Sequence, residues 1–215
     1  MKTWIIMPVK PLLRAKSRLS DVLTPEQREK LAISLLVRNL QLLKDLPQVA
    51  GILVVSRDTK VLAIARDHDV TTVQESGQPE LNTALLRATE FLKTLHAQSV
   101  LILPTDLPLL TVEDIQKIIE LGDYAGTVVI APDRQRDGTN ALLVNPPGAL
   151  TYHYGPASFV HHCDAAQLEG LTLKIYESPS IAIDIDTPED LLIYREMARQ
   201  YNMPIIDVLA EEVTE

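Results

Sequence analysis

Short apolar runs rich in Val and Ile recur along this chain, and a longer amphipathic stretch follows almost every one. A run that is apolar at consecutive positions reads as a strand buried on both faces. Alternation with helices is what a mainly parallel sheet requires, because each crossover must lay a helix on the sheet. The predicted strands are Trp4–Val9, Ile52–Ser56, Val100–Pro104, Val128–Pro132 and Ile181–Asp184, with Val70–Val73 and Leu171–Tyr176 as shorter members. Helical spacing covers Pro25–Leu46, Thr59–His68, Leu81–Leu95, Val112–Leu121 and Pro188–Tyr201. Thr24 before Pro25 reads as an N-cap, and Thr111/Asp114 and Thr187/Asp190 resemble capping boxes. The expected architecture is a single α/β domain over residues 1–201, a mainly parallel mixed sheet flanked by helices. Residues 202–215 form a tail or a docking helix.

Two of these apolar runs end in acid. VLILPTDLPLL carries Asp106, and IAIDIDTPEDL carries Asp184 and Asp186. Open α/β sheets bind ligands where strands leave the sheet and helices begin. Asp184 and Asp186 alternate with Ile183 and Ile185, so an extended chain directs both carboxylates to the same side. Such a pair repels unless a cation lies between its members. Magnesium is the expected ion, and it implies a phosphate-bearing substrate. Asp114 and Asp190, in first helical turns, need no explanation beyond capping.

The bulk properties narrow the classes. At 215 residues and 46% hydrophobic, the chain can bury a substantial core. A net charge of −9 argues against a general nucleic-acid surface. The single cysteine, Cys163, excludes an intrachain disulfide and a multi-cysteine zinc site. The N-terminal run is interrupted by Pro8 and Lys10 and is too short for a signal segment or a membrane span, so no membrane partner and a cytoplasmic location are expected.

Against that acidic background, Lys10, Arg14, Lys16 and Arg18 crowd the loop after the first strand. They suit a triphosphate, although a solvated cationic helix face would give the same pattern, and the glycines of a Walker loop are missing. In RDGTNALL, Gly138 permits a tight turn and Thr139 and Asn140 offer donors; a plain hairpin explains the glycine equally well. In YHYGPASFVHHC, Gly155 and Ser158 precede an apparent helix near Ala157, a place for a phosphate or carboxylate, or simply a cap. His153, His161 and His162 lack metal-site spacing and are assigned surface or packing roles. No GxSxG elbow surrounds Ser158.

Taken in order, PVKPLLRAKSRLS, ELNTALLRA, LPTDLPLL, DGTNALL, YGPASF and DIDTPEDL resemble the phosphoenolpyruvate or 2-phospho-L-lactate guanylyltransferases of deazaflavin coenzyme F-420 biosynthesis. The resemblance spans Met1 to about Arg199. It implies a single Rossmann-like nucleotidyltransferase domain that joins GTP to a small phosphorylated three-carbon acid and releases diphosphate. It further implies Asp106, Asp184 and Asp186 as magnesium ligands, and Thr139, Gly155 and Ser158 as contacts of the acid. Lys10, Arg14, Lys16 and Arg18 would face the GTP phosphates, with Lys16 and Asp106 catalytic. Asn82, in the ELN motif, would lie near the guanine or ribose. Phosphoenolpyruvate is the expected acid, with 2-phospho-L-lactate and 3-phosphoglycerate as alternatives. A sugar-phosphate or cytidylyl transferase is more distant, because the glycine-rich first loop of sugar nucleotidyltransferases is absent. A downstream transferase of the same pathway is an expected partner. Monomer and homodimer remain open.

Overall fold

The computed structural model of the protein describes residues 2–77, 80–203 and 205–206. Its strands are β1 (Thr3–Val9), β2 (Val49–Ser56), β3 (Thr71–Gln74), β4 (Ser99–Ile102), β5 (Thr127–Pro132), β6 (Thr139–Asn145) and β7 (Thr172–Ile175). Its helices are α1 (Pro25–Leu43), α2 (Thr59–Asp67), α3 (Leu81–Thr94), α4 (Val112–Leu121), α5 (Ser158–Leu168) and α6 (Pro188–Gln200). The strands form one sheet in the order β3-β2-β1-β4-β6-β5-β7. All neighbours are parallel except at β6, which runs antiparallel to both β4 and β5. The expected α/β architecture is therefore present, with a β5–β6 hairpin where RDGTNALL turns back into the sheet.

Side chains alternate across the sheet, so each strand serves two cores. On one face, Ile5, Met7, Val54, Leu101 and Leu143 pack with α1, α2 and α4. On the other, Ile6, Leu53, Ile102, Leu142 and Val144 pack with α3 and α5. A third cluster, with Leu19, Leu31, Ile183, Ile185 and Tyr194, ties the first loop to α6. Thr24 caps α1 as expected, with Gln27 completing a capping box, and the expected boxes at Thr111/Asp114 and Thr187/Asp190 start α4 and α6.

One expected strand is corrected. Ile181–Asp184 joins no ladder: it starts in a turn, with the Ile181 and Ala182 amides donating to the Ser178 carbonyl, and crosses the carboxyl end of the sheet. Isolated bonds hold it: the Arg134 amide to the Ala182 carbonyl (2.9 Å), the Asn140 side-chain amide to the Ile181 carbonyl (2.9 Å), and the Ile185 amide to the Asp106 carbonyl (3.1 Å). Burial of Ile181, Ile183 and Ile185 keeps the period of two without sheet pairing. The apolar-polar alternation records alternating burial, which a segment docked on the sheet end shares with a strand.

The expected docking helix over 202–215 falls largely outside the described residues. Within them, Met203, Ile205 and Ile206 pack on the third cluster, and the Ile206 amide donates to the Tyr194 hydroxyl at 3.0 Å. Among the described residues no helix is long and apolar enough to cross a membrane.

Candidate active site

The chain leaves β1 toward β2 on one side, while β4 returns on the other. The connections after β1 and β4 therefore diverge, opening a crevice at the carboxyl ends of adjacent strands. Lys16 comes from the loop after β1, Asp106 from the loop after β4, and Asp184 and Asp186 from the crossing segment. The Lys16 ammonium lies 3.0 Å from Asp106 Oδ2 and 3.1 Å from Asp186 Oδ1. Its side chain is only 7% exposed. Lys16 has φ 53° and ψ 35°, a left-handed conformation that costs an L-residue about 1–2 kcal/mol and is sustained by this double pairing.

The carboxylates of Asp106, Asp184 and Asp186 each place an oxygen within 4.8 Å of the others. Burial pushes Asp106 upward, but the adjoining Lys16 more than offsets it, and the carboxyl lies below its usual range. Asp184 gains no such bond. Burial, together with the charges of Asp106 and Asp186, pushes it up to about 7. A site that raises a carboxyl this far is short of positive charge, and its donors are all hard oxygens. The three residues thus fit a divalent cation.

The surroundings hold these groups in place. Asn39, fully buried in the apolar stripe of α1, donates to the Thr105 carbonyl at 3.1 Å, beside Asp106. Asp114 accepts from Thr111, Tyr176 and Ser180, so the cap of α4 also anchors the turn that leads to Ile181. A cleft of about 290 Å³ adjoins the carboxylates and is lined by Arg18, Asp133, Arg134, Asp184, Asp186 and Glu189 among others. A larger cleft, about 530 Å³, lies at the opposite end of the strands, beside Trp4, Gly51 and Thr71, and is remote from this chemistry. Lys10, Arg14 and Arg18 are exposed around the mouth of the loop after β1.

A second group of expected residues meets at the start of α5. Thr139 opens β6 and Ser158 opens α5; both are buried, and the Ser158 hydroxyl donates to Thr139 Oγ1 at 3.3 Å. Gly155 has φ 139°, and a Cβ there would meet open space, so backbone conformation, not crowding within the protein, requires the glycine. Ala157, at the N-cap of α5, is left-handed (φ 55°). The Ser158 and Phe159 amides are engaged by the Gly155 and Asp137 carbonyls, and the Ser158 hydroxyl hydrogen is engaged by Thr139 Oγ1. Gly138 answers to the hairpin: its amide and that of Asp137 donate to the Asp133 carboxylate, and a Cβ would stand 2.8 Å from Asp133 Oδ2.

Asn82 occupies a different kind of place. Its side-chain amide donates to the Tyr154 carbonyl at 3.0 Å, and its carbonyl accepts from the Tyr154 amide at 2.8 Å. Both ends of the group bind the backbone next to Gly155, leaving one N–H and one lone pair of the carboxamide unassigned. Glu80 of the same motif caps α3 through the amides of Asn82 and Thr83. Asn39, Tyr154 and His162 escaped the sequence reading as site residues. A polar residue inside an otherwise apolar helical stripe was the available signal for Asn39.

An open α/β sheet with a lysine and three carboxylates at its switch point is the architecture to be matched among known proteins. Solved structures agree on the fold: one from Desulfovibrio desulfuricans, described as a nucleotide-diphospho-sugar transferase, superposes with a TM-score of 0.80 at 16% identity, covering 99% of this chain and 95% of that one. A cytidylyltransferase from Leptospira borgpetersenii gives 0.63 at 15% identity, covering 99% and 94%. Sequence comparison goes further. Residues 3–198 match the family profile described as "Guanylyl transferase CofC like", and the chain belongs to that family. It is 39% identical over 191 residues to a phosphoenolpyruvate guanylyltransferase of Rubrobacter xylanophilus, covering 89% of this chain and 92% of the relative. It is 35% identical over 191 residues to a 2-phospho-L-lactate guanylyltransferase of Methanothermobacter thermautotrophicus, covering 89% and 83%.

Proposed function

We propose that the protein transfers GMP from GTP to phosphoenolpyruvate, releasing diphosphate and yielding enolpyruvoyl-2-diphospho-5'-guanosine for deazaflavin coenzyme F-420 biosynthesis. The observation that carries this reading is the junction of Lys16 with Asp106 and Asp186 at the sheet switch point, in a chain of the guanylyltransferase family. An oxygen of the acid's phosphate attacks the α-phosphorus of GTP. The new P–O bond forms as the bond to the β-phosphate bridge breaks, and diphosphate leaves with its electron pair. No proton need move in that step, so the protein's work is alignment and charge neutralisation. Asp106, Asp184 and Asp186 would hold magnesium, which supplies neutralisation of phosphate oxygens when bound. Lys16 delivers its ammonium to the same oxygens, and Lys10, Arg14 and Arg18 gather the triphosphate at the loop mouth. Thr139, Gly155 and Ser158 receive the acid.

Phosphoenolpyruvate is favoured by the Rubrobacter relative, and 2-phospho-L-lactate by the archaeal one. The two acids differ in planarity at one carbon, a difference of ~1–3 kcal/mol in pocket contacts. Diphosphate release with each nucleoside triphosphate tests the donor, and GTP is expected; preference for UTP or CTP overturns the reading. Competition between the two acids at equal concentration, read by product mass, tests the acceptor. Dominance of phospholactate or 3-phosphoglycerate would reassign it.

A further inference from the structure

His162 lies one helical turn after Ser158 on α5, which places both side chains on one helix face. The imidazole is fully buried, and both ring nitrogens are engaged. The His153 backbone N–H points at Nε2 from 2.9 Å. That bond can form only if Nε2 carries no proton, so the neutral ring bears its hydrogen on Nδ1. Nδ1 is 3.0 Å from Thr139 Oγ1 and must donate to it. Ser158 also donates to Thr139 Oγ1. The Thr139 oxygen thus accepts twice from the protein, and its own hydrogen is left to donate.

We propose that His162 is a positioning residue for the acceptor: by donating to Thr139, it commits the Thr139 hydroxyl to act as a hydrogen-bond donor to the phosphate or carboxylate of the bound acid. The inference rests on the reading of Thr139 as an acid contact. The apparatus behind the ring matches the task. Tyr154 stacks edge-on against His162 with ring centroids 4.9 Å apart, and Asn82 clamps the Tyr154 backbone at both its amide and its carbonyl. Burial, with His153 and His161 adding to it, lowers the ring to about 4, so it stays neutral at physiological pH and keeps the tautomer that this arrangement needs. A threonine without that donor would be free to turn its hydrogen toward His162 and offer only lone pairs to an anion.

Steady-state kinetics of the full chain with GTP and phosphoenolpyruvate tests this, because two substitutions separate the ring's two nitrogens. Asn in place of His162 carries an amide N–H near the position of Nδ1; Gln reaches instead to the position of Nε2. His162→Gln is expected to raise the KM for the acid roughly tenfold or more, the loss of one hydrogen bond to a charged group, while the KM for GTP stays within about twofold. His162→Asn is expected to keep the acid KM near its original value. Thr139→Val alone should raise the acid KM, and adding His162→Gln to it should do no further harm. Equal behaviour of the Asn and Gln variants, or a GTP KM that rises in step with that of the acid, would make His162 merely structural and overturn the proposal. If Thr139→Val leaves the acid KM unchanged, the acid pocket itself is wrongly placed; if Thr139→Val raises it and His162→Gln does not, only the role of His162 falls. Nitrogen NMR of the unsubstituted protein gives an independent reading, expected to show the Nδ1-protonated ring. The Nε2-protonated tautomer would refute the proposal whatever the variants do.

Discussion

Lys16 holds the site together before any substrate arrives. Replacing it with Met removes the positive partner of two carboxylates and the charge that we propose faces the triphosphate. Loss of one such electrostatic contact typically costs ~10²–10³ in rate. We expect a fall of that order in kcat/KM for Lys16→Met, measured by diphosphate release, with the fold retained by circular dichroism. Asp114 makes the complementary case, a buried acid whose work is structural. Burial pushes its carboxyl up, but hydrogen bonds from Ser180, Thr111 and Tyr176 outweigh that and hold it below its ordinary value of 3.8. Its stabilisation is therefore complete above about pH 4 and is lost as pH falls through the lowered folded value.

The elements of the site are held by contacts at their ends. Asn39 joins α1 to the loop carrying Asp106 by donating to the Thr105 carbonyl from a fully buried position. Asn39→Ala should cost ~1–3 kcal/mol in urea unfolding and raise the magnesium concentration needed for half-maximal activity. An unchanged magnesium requirement would show that the Asp106 loop does not depend on α1. At the start of α5, Gly155 holds a φ that an L-side chain rarely adopts, at a cost of about 1–3 kcal/mol. Gly155→Ala should therefore lower stability by that amount and weaken the acid more than GTP, as read from separate KM values.

For the whole molecule, pH provides a test that links the site to the fold. His162 is held near 4 against an ordinary 6.5, so the unfolded chain takes up its proton first as pH falls. Its contribution is fully present above pH 6.5 and is lost between there and about pH 4, amounting to roughly 3 kcal/mol. The groups facing the ring are His153, His161, Tyr154 and Thr139. Comparing denaturant unfolding of the protein with that of His162→Asn isolates the term: the gap between the two should close as pH drops through this window. A gap constant from pH 7 to 4 would mean that the ring is not held neutral. Substrate should act in the opposite direction, since a ligand bound only by the folded state at a hundred times its Kd adds about 2.7 kcal/mol.

Much of this was legible from residue order because it depends on local chemistry. The strand and helix periods, the Thr24 N-cap, the capping boxes at Thr111/Asp114 and Thr187/Asp190, and the acids at the ends of apolar runs all follow from burial and backbone satisfaction within a few residues. The 181–186 segment shows where that ends. Its alternation of Ile and Asp is the signature of a strand, yet β6 and β7 already flank β5, and the segment crosses the sheet end instead. Asn82, expected near the guanine or ribose, also bridges to the Tyr154 backbone, and His162, expected in a surface or packing role, hydrogen-bonds Thr139. A polar side chain shows in the sequence what it can donate or accept. Its partner is set by chain folding, here across 72 residues for Asn82 and Tyr154 and across 90 for Lys16 and Asp106. The sequence alone determined which residue types the chemistry has available and which strand ends carry them. Tertiary structure decided which polar groups remain uncommitted for a ligand, because a hydrogen-bonding group in a buried site must be satisfied by whatever the fold brings within about 3 Å.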